Sequence, residues 1–307
     1  MSLTVVGSMA FDEIETPFGK SGKIIGGSAT YIAWAASNFL DSVNQVSVIG
    51  EDFPKDELEE LSKKGVQLEG VQMKQGEKSF YWAGRYHMDM NTRDTLATEL
   101  NVLADFDPVI PDSYQSSEFL ILGNLTPQVQ KSVIEQFKVR PKLIVMDTMN
   151  FWMETALSDL LEVIKMVDVL LVNDSEARQL TGEYSLVKAA KKILTMGPKY
   201  LIIKKGEHGA LLFSENHVFF APAMPLDDVF DPTGAGDTFA GGFIGHIART
   251  KDISFENMKT AIIVGSAMAS FCVEQFGVKR LRGITRDDIS ERLDQFVQLV
   301  NFDIDLV

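Results

Sequence analysis

The sequence predicts an α/β protein, a three-layer α/β/α sandwich with a mostly parallel central sheet and a small β-sheet lid. Three observations support this fold class. Short apolar runs rich in β-branched residues alternate with helical patterns, two strand-like stretches interrupt that alternation, and a glycine-rich turn precedes a long helical region. Alternating strands and helices favour parallel pairing, helices on both faces of the sheet, and ligand binding at the carboxyl ends of the strands.

The elements follow from the apolar periodicity of each segment. Six runs are predicted strands: Leu3–Ser8, Gln45–Gly50, Phe119–Gly123, Leu143–Asp147, Val169–Asn173 and Tyr200–Lys204. Five segments between them are predicted helices: Ser28–Leu40, Pro54–Lys64, Pro127–Lys138, Glu154–Lys165 and Ser185–Met196. The pair Ala210–Phe213 and Val218–Ala221 is expected to add antiparallel edge strands. From about Asp237 the chain is predicted to be helical almost to its end.

Two segments, about 11–25 and 77–98, form the predicted lid. They lack an amphipathic helix but carry alternating β-type residues, with a polar turn at Asp89-Met90-Asn91. A small sheet of this kind has one face to bury, so it either closes over a ligand or pairs with a second subunit. Because no repeat and no linker rich in Pro, Gly or Ser divides the chain, we expect one domain over 1–307 with the lid inserted in it.

Composition excludes several classes of protein. The net charge of −14 argues against nucleic acid or an anionic membrane as a partner. No apolar run approaches the roughly 18 to 20 residues that span a bilayer, and the first residues read as a strand rather than a signal peptide. The single cysteine, Cys272, excludes an internal disulfide and makes the cytoplasm the expected location. The four histidines show no metal-ligand spacing, so no zinc site is expected.

The segment Asp231–Thr238 carries the functional prediction. It reads Asp-Pro-Thr-Gly-Ala-Gly-Asp-Thr and runs straight into an apolar helical stretch. A glycine-rich turn at a helix start directs backbone N–H groups and the positive end of the helix dipole at one spot, which suits a phosphate. A carboxylate there, Asp237, is unfavourable unless it takes a proton from a hydroxyl that attacks a phosphoryl group. This pattern predicts a small-molecule kinase.

The alternative interpretation is a tight turn with a capping Asp or Thr ahead of a buried helix. Two competing nucleotide motifs are excluded. A dinucleotide fingerprint requires glycine at 239, where the chain has Phe239. The string Gly19-Lys20-Ser21 resembles the end of a Walker A loop, but Ile14 stands in place of its first glycine.

The order of the motifs resembles the ribokinase family of carbohydrate kinases, also called the phosphofructokinase-B type. The resemblance rests on Asp12, Gly26-Gly27, Asn173-Asp174-Ser175-Glu176, Lys205-Gly206-Glu207-His208-Gly209 and Asp-Pro-Thr-Gly-Ala-Gly-Asp-Thr-Phe at 231–239, in that order along nearly the whole chain. The resemblance implies a ribokinase-like fold and ATP-dependent phosphorylation of a primary hydroxyl on a sugar or nucleoside.

The resemblance also implies the catalytic roles. Asp237 corresponds to the general base, and the N–H groups of Gly234, Ala235 and Gly236 correspond to an anion hole for the transferring group. Asn173 and Glu176 correspond to the motif that organises Mg²⁺, water and phosphate, with Glu176 reaching Mg²⁺ through water. Taken alone, Asn173 is equally well explained as a helix cap.

For the nucleotide, the resemblance implies contacts from Lys204, Lys205, Gly206 and Thr233. Ser266 and Ala269 lie in the segment that walls the adenine in the family, and ordinary helix packing is the alternative. Asp231 corresponds to a K⁺ site of some relatives. The two lysines are also explained as solvated surface charges.

For the acceptor, Asp12 corresponds to a carboxylate that binds sugar hydroxyls, Gly26 and Gly27 to a hinge beside the sugar, and Asn124 to a further contact. The family's ribokinase-type pattern has asparagine where this chain has Tyr31, which argues against ribose itself.

Three acceptor classes therefore stay open: an adenosine-type nucleoside, fructose and a keto-deoxy sugar acid. Aromatic lid residues such as Trp82 suit a base or a sugar face, Arg85 and Arg93 suit an acidic group, and Asp147-Thr148-Met149-Asn150 loosely resembles keto-deoxy-gluconate kinases. The sequence predicts an ATP- and Mg²⁺-dependent kinase that forms a homodimer through the lid. ADP as donor, and a catalytically silent nucleotide or sugar sensor of the same fold, are the alternatives.

Overall fold

A computed structural model describes residues 2–301, which form one nine-stranded and one four-stranded sheet. The strands are β1 Leu3–Val6, β2 Ala10–Thr16, β3 Gly19–Gly26, β4 Val43–Gly50, β5 Val66–Lys74, β6 Phe80–Tyr86, β7 Arg93–Glu99, β8 Phe119–Leu122, β9 Leu143–Asp147, β10 Val169–Asn173, β11 Tyr200–Lys204, β12 Ala210–Phe213 and β13 Val218–Ala221. The helices are α1 Ser28–Ala36, α2 Lys55–Lys63, α3 Pro127–Gln136, α4 Asn150–Thr155, α5 Leu157–Ile164, α6 Asp174–Thr181, α7 Leu186–Leu194, α8 Ala235–Thr250, α9 Phe255–Cys272, α10 Lys279–Arg282 and α11 Arg286–Val300.

The large sheet has the strand order β13-β12-β11-β10-β9-β8-β1-β4-β5. Every pair from β11 through to β5 is parallel, and only β11–β12 and β12–β13 are antiparallel. Strands β8, β9 and β10 are almost continuous runs of Leu, Ile and Val because both faces of the sheet are covered. The mostly parallel sheet and the antiparallel hairpin at its edge agree with the predicted fold class.

Two apolar cores, one on each face of the sheet, make the three layers. Helices α1, α8 and α9 contribute Trp34, Phe243 and Met268 to one core. Helices α3, α5 and α7 contribute Val133, Leu160 and Ile193 to the other. The sheet is therefore fixed from both sides, and the loops at the carboxyl ends of its strands are held on a rigid base.

Three elements differ from the sequence-based expectation. The edge strand β5 was not predicted because its apolar residues alternate with polar ones that face solvent. The helix expected over Glu154–Lys165 is divided into α4 and α5 at Ala156, whose φ of −144° is not helical. Helix α6 was also not among the expected helices, although it starts at the Asn-x-x-Glu motif.

The small sheet has the order β3-β2-β6-β7. It occupies the segments predicted for the lid, with β2 and β3 antiparallel, β2 and β6 parallel, and β6 and β7 antiparallel. Its contacts with the rest of the molecule include the packing of Phe11 against Phe53 and two that lie further apart. Phe18 packs edge-on against Phe230 with ring centroids 6.1 Å apart, and Asn91 Oδ1 lies 3.4 Å from the position that a Cβ would take on Gly206. The sheet therefore spans the crevice above the ends of the large-sheet strands.

Residues 1 and 302–307 lie outside the described part of the chain, so the single domain expected over 1–307, and the helical ending, are followed only to residue 301. Over that part, none of the helices has both the length and the apolar character to cross a bilayer.

Candidate active site

The crevice between the two sheets lies where several parallel strands end. Asp147, Asn173 and Lys204 are the last residues of β9, β10 and β11, and these strands are neighbours in the sheet. Helix α8 begins at the same place with Ala235. Since the carboxyl ends of parallel strands share one edge, residues far apart in the sequence meet there.

Asp237 lies in the first turn of α8. Gly234 is the N-cap of this helix, with φ of 75° in the left-handed region, and no side chain caps the helix here. The N–H of Ala235 donates to the carbonyl of Pro232 at 3.2 Å, whereas the N–H groups of Gly236 and Asp237 have no backbone acceptor among residues 2–301 and favour negative charge at the start of the helix. Burial, and next the charge of Asp147, raise the pKa of Asp237 to about 7, whereas Lys204 and Arg93 act in the opposite direction. A carboxyl with such a pKa exchanges a proton near neutral pH, as a general base must.

The glycines of this turn are explained by their neighbours. A Cβ on Gly234 would overlap the ring of Tyr31, which fills the space beneath the turn. A Cβ on Gly236 would lie 3.0 Å from Lys204 Nζ. Both glycines therefore lie against protein side chains, Tyr31 at Gly234 and Lys204 at Gly236.

Asp231 anchors the turn from below. It is completely buried, its Oδ1 accepts the N–H of Thr233 at 2.9 Å, and its Oδ2 accepts the N–H of Gly277 at 3.0 Å. Burial raises the pKa of Asp231 despite these hydrogen bonds. Asp231 therefore connects the turn before α8 to the segment that follows α9.

Lys204 and Asp147 form an ion pair beside the turn. Lys204 Nζ lies 3.1 Å from Asp147 Oδ1 and 3.0 Å from Oδ2, and the two side chains are 19% and 9% exposed. Strand β10 lies between their two strands, so the pair crosses its carboxyl end. Asp147 also accepts the N–H of Thr148 at 3.1 Å. Sequence reasoning selected Lys204 but not this partner.

Asn173 and Glu176 form a capping box at the start of α6. Asn173 Oδ1 accepts the N–H of Glu176 at 2.8 Å, and Glu176 Oε2 accepts the N–H of Asn173 at 2.6 Å. The capping role is therefore observed. Burial, opposed by Lys204 and assisted by Asp147, raises the pKa of Glu176 to about 7. One oxygen of Glu176 serves the cap, and the other accepts no hydrogen bond from residues 2–301.

Asp12 lies on the opposite side of the crevice, on the small sheet. It is 5% exposed, and a Cβ on Gly26 would overlap its carboxylate. The next residue, Gly27, has φ of 93° and leaves no room for a side chain beside the carbonyl of Ser8. The two glycines thus let the chain pass between Asp12 and the end of β1 before α1 begins.

One face of the small sheet carries a set of residues that look into the crevice. Asp12 and Trp82 are register partners on parallel strands, as are Tyr86 and Arg93 on antiparallel strands, and Trp82 and Tyr86 are four residues apart on β6. Thr233 Oγ1 donates to the hydroxyl of Tyr86 at 3.3 Å, so this face contacts the anion-binding turn directly.

Arg93 is a site residue whose position the sequence did not reveal. Its charge lowers the pKa of Asp12, Glu176 and Asp237, yet it lies within 4 Å of no carboxylate oxygen among residues 2–301. It also stands 5.7 Å from the centre of the Trp82 ring. The signal in the sequence is weak, since Arg93 belongs to a strand with mostly exposed residues.

The remaining expected residues have other neighbours. Asn124 accepts a hydrogen bond from Trp152 Nε1 at 2.8 Å and lies 3.0 Å from the sulfur of Met149. Lys205 lies over the ring of Phe220 at 6.0 Å. Ser266 is buried on α9, and Ala269 is partly buried one turn further along.

The carboxyl groups of the crevice determine whether a divalent cation fits there. Within the described chain, no group of three or more His, Cys, Asp and Glu side chains has the geometry to hold a metal ion by itself. Asp12, Glu176 and Asp237 nevertheless all have a raised pKa of about 7, caused first by burial. A crevice in which three buried carboxyls keep a raised pKa despite Lys204 and Arg93 fits an ion that arrives with several waters and a phosphate ligand, as Mg²⁺ does.

Comparison with known proteins identifies relatives of this chain. The family model described as pfkB family carbohydrate kinase matches residues 3–282. The chain is 29% identical over 259 residues to the cytidine kinase of Thermococcus kodakarensis, which covers 82% of this chain and 91% of that protein. It is 26% identical over 306 residues to the nucleoside kinase of Methanothermobacter thermautotrophicus, with 90% and 91% covered.

A solved structure has the same fold. The aminoimidazole riboside kinase of Salmonella enterica, complexed with aminoimidazole riboside and an ATP analog, superimposes with a TM-score of 0.75 at 18% identity. The superposition covers 95% of this chain and 100% of the other. The fold class predicted from the sequence is confirmed.

Proposed function

Since the chain belongs to the pfkB family of carbohydrate kinases, we propose that it transfers the γ-phosphoryl group of ATP to the primary hydroxyl of a nucleoside. One observation carries the reaction type. Asp237, with a pKa raised to about 7, stands beside the N–H groups that begin α8 and faces Asp12 across the crevice closely enough for its charge to raise the pKa of Asp12 as well. A base, an anion site and a hydroxyl-binding carboxylate are thus in one place.

The residues divide the reaction between them. Asp12 accepts hydrogen bonds from the acceptor and orients it, and Asp237 takes the proton of the attacking hydroxyl. The new bond joins the acceptor oxygen to the γ-phosphorus, and the bond to the bridging oxygen of ADP breaks with its electron pair. The N–H groups of Ala235 and Gly236, together with the Gly234 turn, stabilise the charge of the group in transfer. Positioning and electrostatics therefore supply the rate.

Mg²⁺ and ATP fit the residues on the opposite wall. We propose that Glu176 holds Mg²⁺ through water with the oxygen that the capping box leaves, and that Lys204, Lys205, Gly206 and Thr233 bind the phosphates. The ion would supply positive charge to the phosphate oxygens. Ser266 and Ala269 on α9 are the proposed adenine wall.

The small sheet supports a nucleoside as the acceptor. Trp82 is the register neighbour of Asp12, so an acceptor whose sugar hydroxyls bind Asp12 has an aromatic ring within reach of its base. Two relatives that match along most of their length are named for nucleoside substrates. Fructose and keto-deoxy sugar acids are the competing acceptors.

A panel assay tests the proposal. ADP release with ATP and Mg²⁺ is measured with cytidine, adenosine, inosine, ribose, fructose and a keto-deoxy sugar acid. We expect the highest kcat/KM with a nucleoside, and an Asp237→Asn variant with kcat reduced roughly a hundredfold or more. An exposed carboxyl, Asp105, provides the matched control, since Asp105→Asn leaves the crevice unchanged. Turnover by Asp237→Asn at the wild-type rate contradicts the assignment of the base, and preference for a sugar contradicts the acceptor class.

Three further properties are part of the proposal. A K⁺ ion near Asp231 would make the rate depend on added K⁺, and a flat response contradicts it. A homodimer through the small sheet is suggested by its open edge strand β7, where Leu96 is 50% exposed. A sedimentation mass near 34.1 kDa contradicts the dimer. We retain the cytoplasm as the proposed location because Cys272 is the chain's one cysteine.

A further inference from the structure

The Lys204–Asp147 ion pair stands at the point where the phosphates of a nucleotide must lie. It bridges the carboxyl ends of β9 and β11, and its ammonium group is next to Gly236 at the start of α8. A buried ion pair seldom stabilises a fold more than apolar side chains of the same size would. The pair therefore needs another explanation at this position.

The hydrogen bonds of the ammonium group indicate what that explanation is. Lys204 Nζ carries three protons, and the two oxygens of Asp147, at 3.1 and 3.0 Å, account for two of them. Among residues 2–301, Lys204 Nζ has no third acceptor. Its third N–H is thus left beside the same turn whose backbone N–H groups form the anion site.

The surrounding carboxyls keep the Lys204 ammonium group protonated. Asp147, Glu176 and Asp237 all act on Lys204, and its pKa is raised by these carboxyls despite its burial. The group therefore stays protonated and cannot serve as a base at neutral pH. Lys204 can therefore only donate hydrogen bonds, and its strongest acceptor would be an oxygen that carries negative charge.

Building on the proposed function, we infer that Lys204 donates a hydrogen bond to a non-bridging oxygen of the phosphoryl group in transfer, and that Asp147 positions it. Lys204 keeps its proton throughout, because the proton of the acceptor hydroxyl goes to Asp237. Both carboxylate oxygens of Asp147 accept from Lys204 Nζ, so the role inferred for Asp147 is to position that group. The anion hole thus combines backbone N–H groups from α8 with one ammonium group from β11.

Removal of one partner and then of both tests this inference. Lys204→Met leaves the buried Asp147 carboxylate without its charged partner, so it also risks the fold. The double variant Lys204→Met with Asp147→Asn removes both charges and should recover the thermal midpoint that the single variant loses. We expect the double variant to keep kcat reduced about a hundredfold or more, with the KM for cytidine nearly unchanged, since the lost hydrogen bond forms mainly in the transition state.

A purely structural pair gives the opposite result. In that case the double variant regains wild-type kcat together with its stability, which overturns the inference. Lys204→Arg, which keeps a charged donor, should retain more activity than Lys204→Met at equal stability, and equal activity of the two also overturns it.

A matched control lies at the other end of the same strands. Arg140 Nη2 lies 2.8 Å from Oδ2 of Asp168, a buried residue directly before β10. The double variant Arg140→Met with Asp168→Asn is expected to leave kcat unchanged. Absence of nucleoside-dependent ADP release from the wild-type enzyme overturns the proposed function itself, whereas a fully active Lys204 double variant overturns only this assignment.

Discussion

The Asp12 carboxyl should destabilise the free protein at alkaline pH. Folding raises the pKa of Asp12 from 3.8 to about 7, first through burial and then through the charges of Asp231 and Asp237. Because this pKa is raised, the neutral form of Asp12 favours the folded protein and the ionised form disfavours it. The contribution of Asp12 to the free energy of unfolding is therefore complete below pH 3.8 and is lost as the pH rises through about 7.

The magnitude follows from the shift. A displacement of about three pKa units costs roughly 4 kcal/mol at about pH 8.5, but only about 1.5 kcal/mol at about pH 5, where most Asp12 carboxyls of the folded state are still protonated. Asparagine has nearly the same shape and no charge. We therefore expect Asp12→Asn to raise the free energy of unfolding, and the gain to grow by about 2 to 3 kcal/mol between these pH values.

Urea unfolding followed by circular dichroism at the two pH values measures this difference. The control is Asp105→Asn, because Asp105 is exposed and forms no ion pair with residues 2–301. The same Asp12→Asn variant should bind its acceptor more weakly, with KM raised about tenfold or more by the loss of a charged hydrogen-bond partner. A gain in stability that is absent, or equal at both pH values, refutes the electrostatic reasoning.

Three other predictions concern the crevice. Gly236→Ala should preserve or increase the thermal midpoint, since alanine favours helix over glycine by about 1 kcal/mol. It should lower kcat, because its methyl group displaces the Lys204 ammonium group. An unchanged kcat contradicts the packing argument. The kcat/KM for the nucleoside should rise with pH and level off above about 7, because only ionised Asp237 accepts a proton. The same rise in the Asp12→Asn variant supports this assignment. If the variant loses the rise, the titrating group is Asp12. Trp82→Leu should raise the KM for a nucleoside about tenfold through loss of base stacking and leave the KM for ribose unchanged; equal effects on both acceptors place the base elsewhere.

The sequence predicted the parts of the fold that depend on local pattern. The continuous apolar runs of β8 to β11 identify buried parallel strands, and the Asp-Pro-Thr-Gly-Ala-Gly-Asp-Thr segment identifies the start of α8. Strand β5 was not predicted because an edge strand alternates polar and apolar residues. The break at Ala156 was not predicted because neither proline nor glycine marks it in the sequence.

The site was less accessible to sequence reasoning. Asp12, Asp237 and Glu176 are recognisable from their motifs, and the structure brings them to one crevice. The partnership of Lys204 with Asp147 depends instead on the order of β9, β10 and β11 in the sheet. Arg93 and Trp82 face the crevice only because of the register of the small sheet, and a shift of one residue would turn both away.

Tyr31 connects the two halves of the catalytic crevice mechanically. Helix α1 begins directly after Gly26 and Gly27, where the small sheet ends, and the ring of Tyr31 fills the space beneath Gly234 without a gap. If the two glycines act as the expected hinge, a rotation of α1 moves this ring beneath Gly234. In the proposed reaction, opening of the small sheet would therefore disturb the backbone turn at the start of α8.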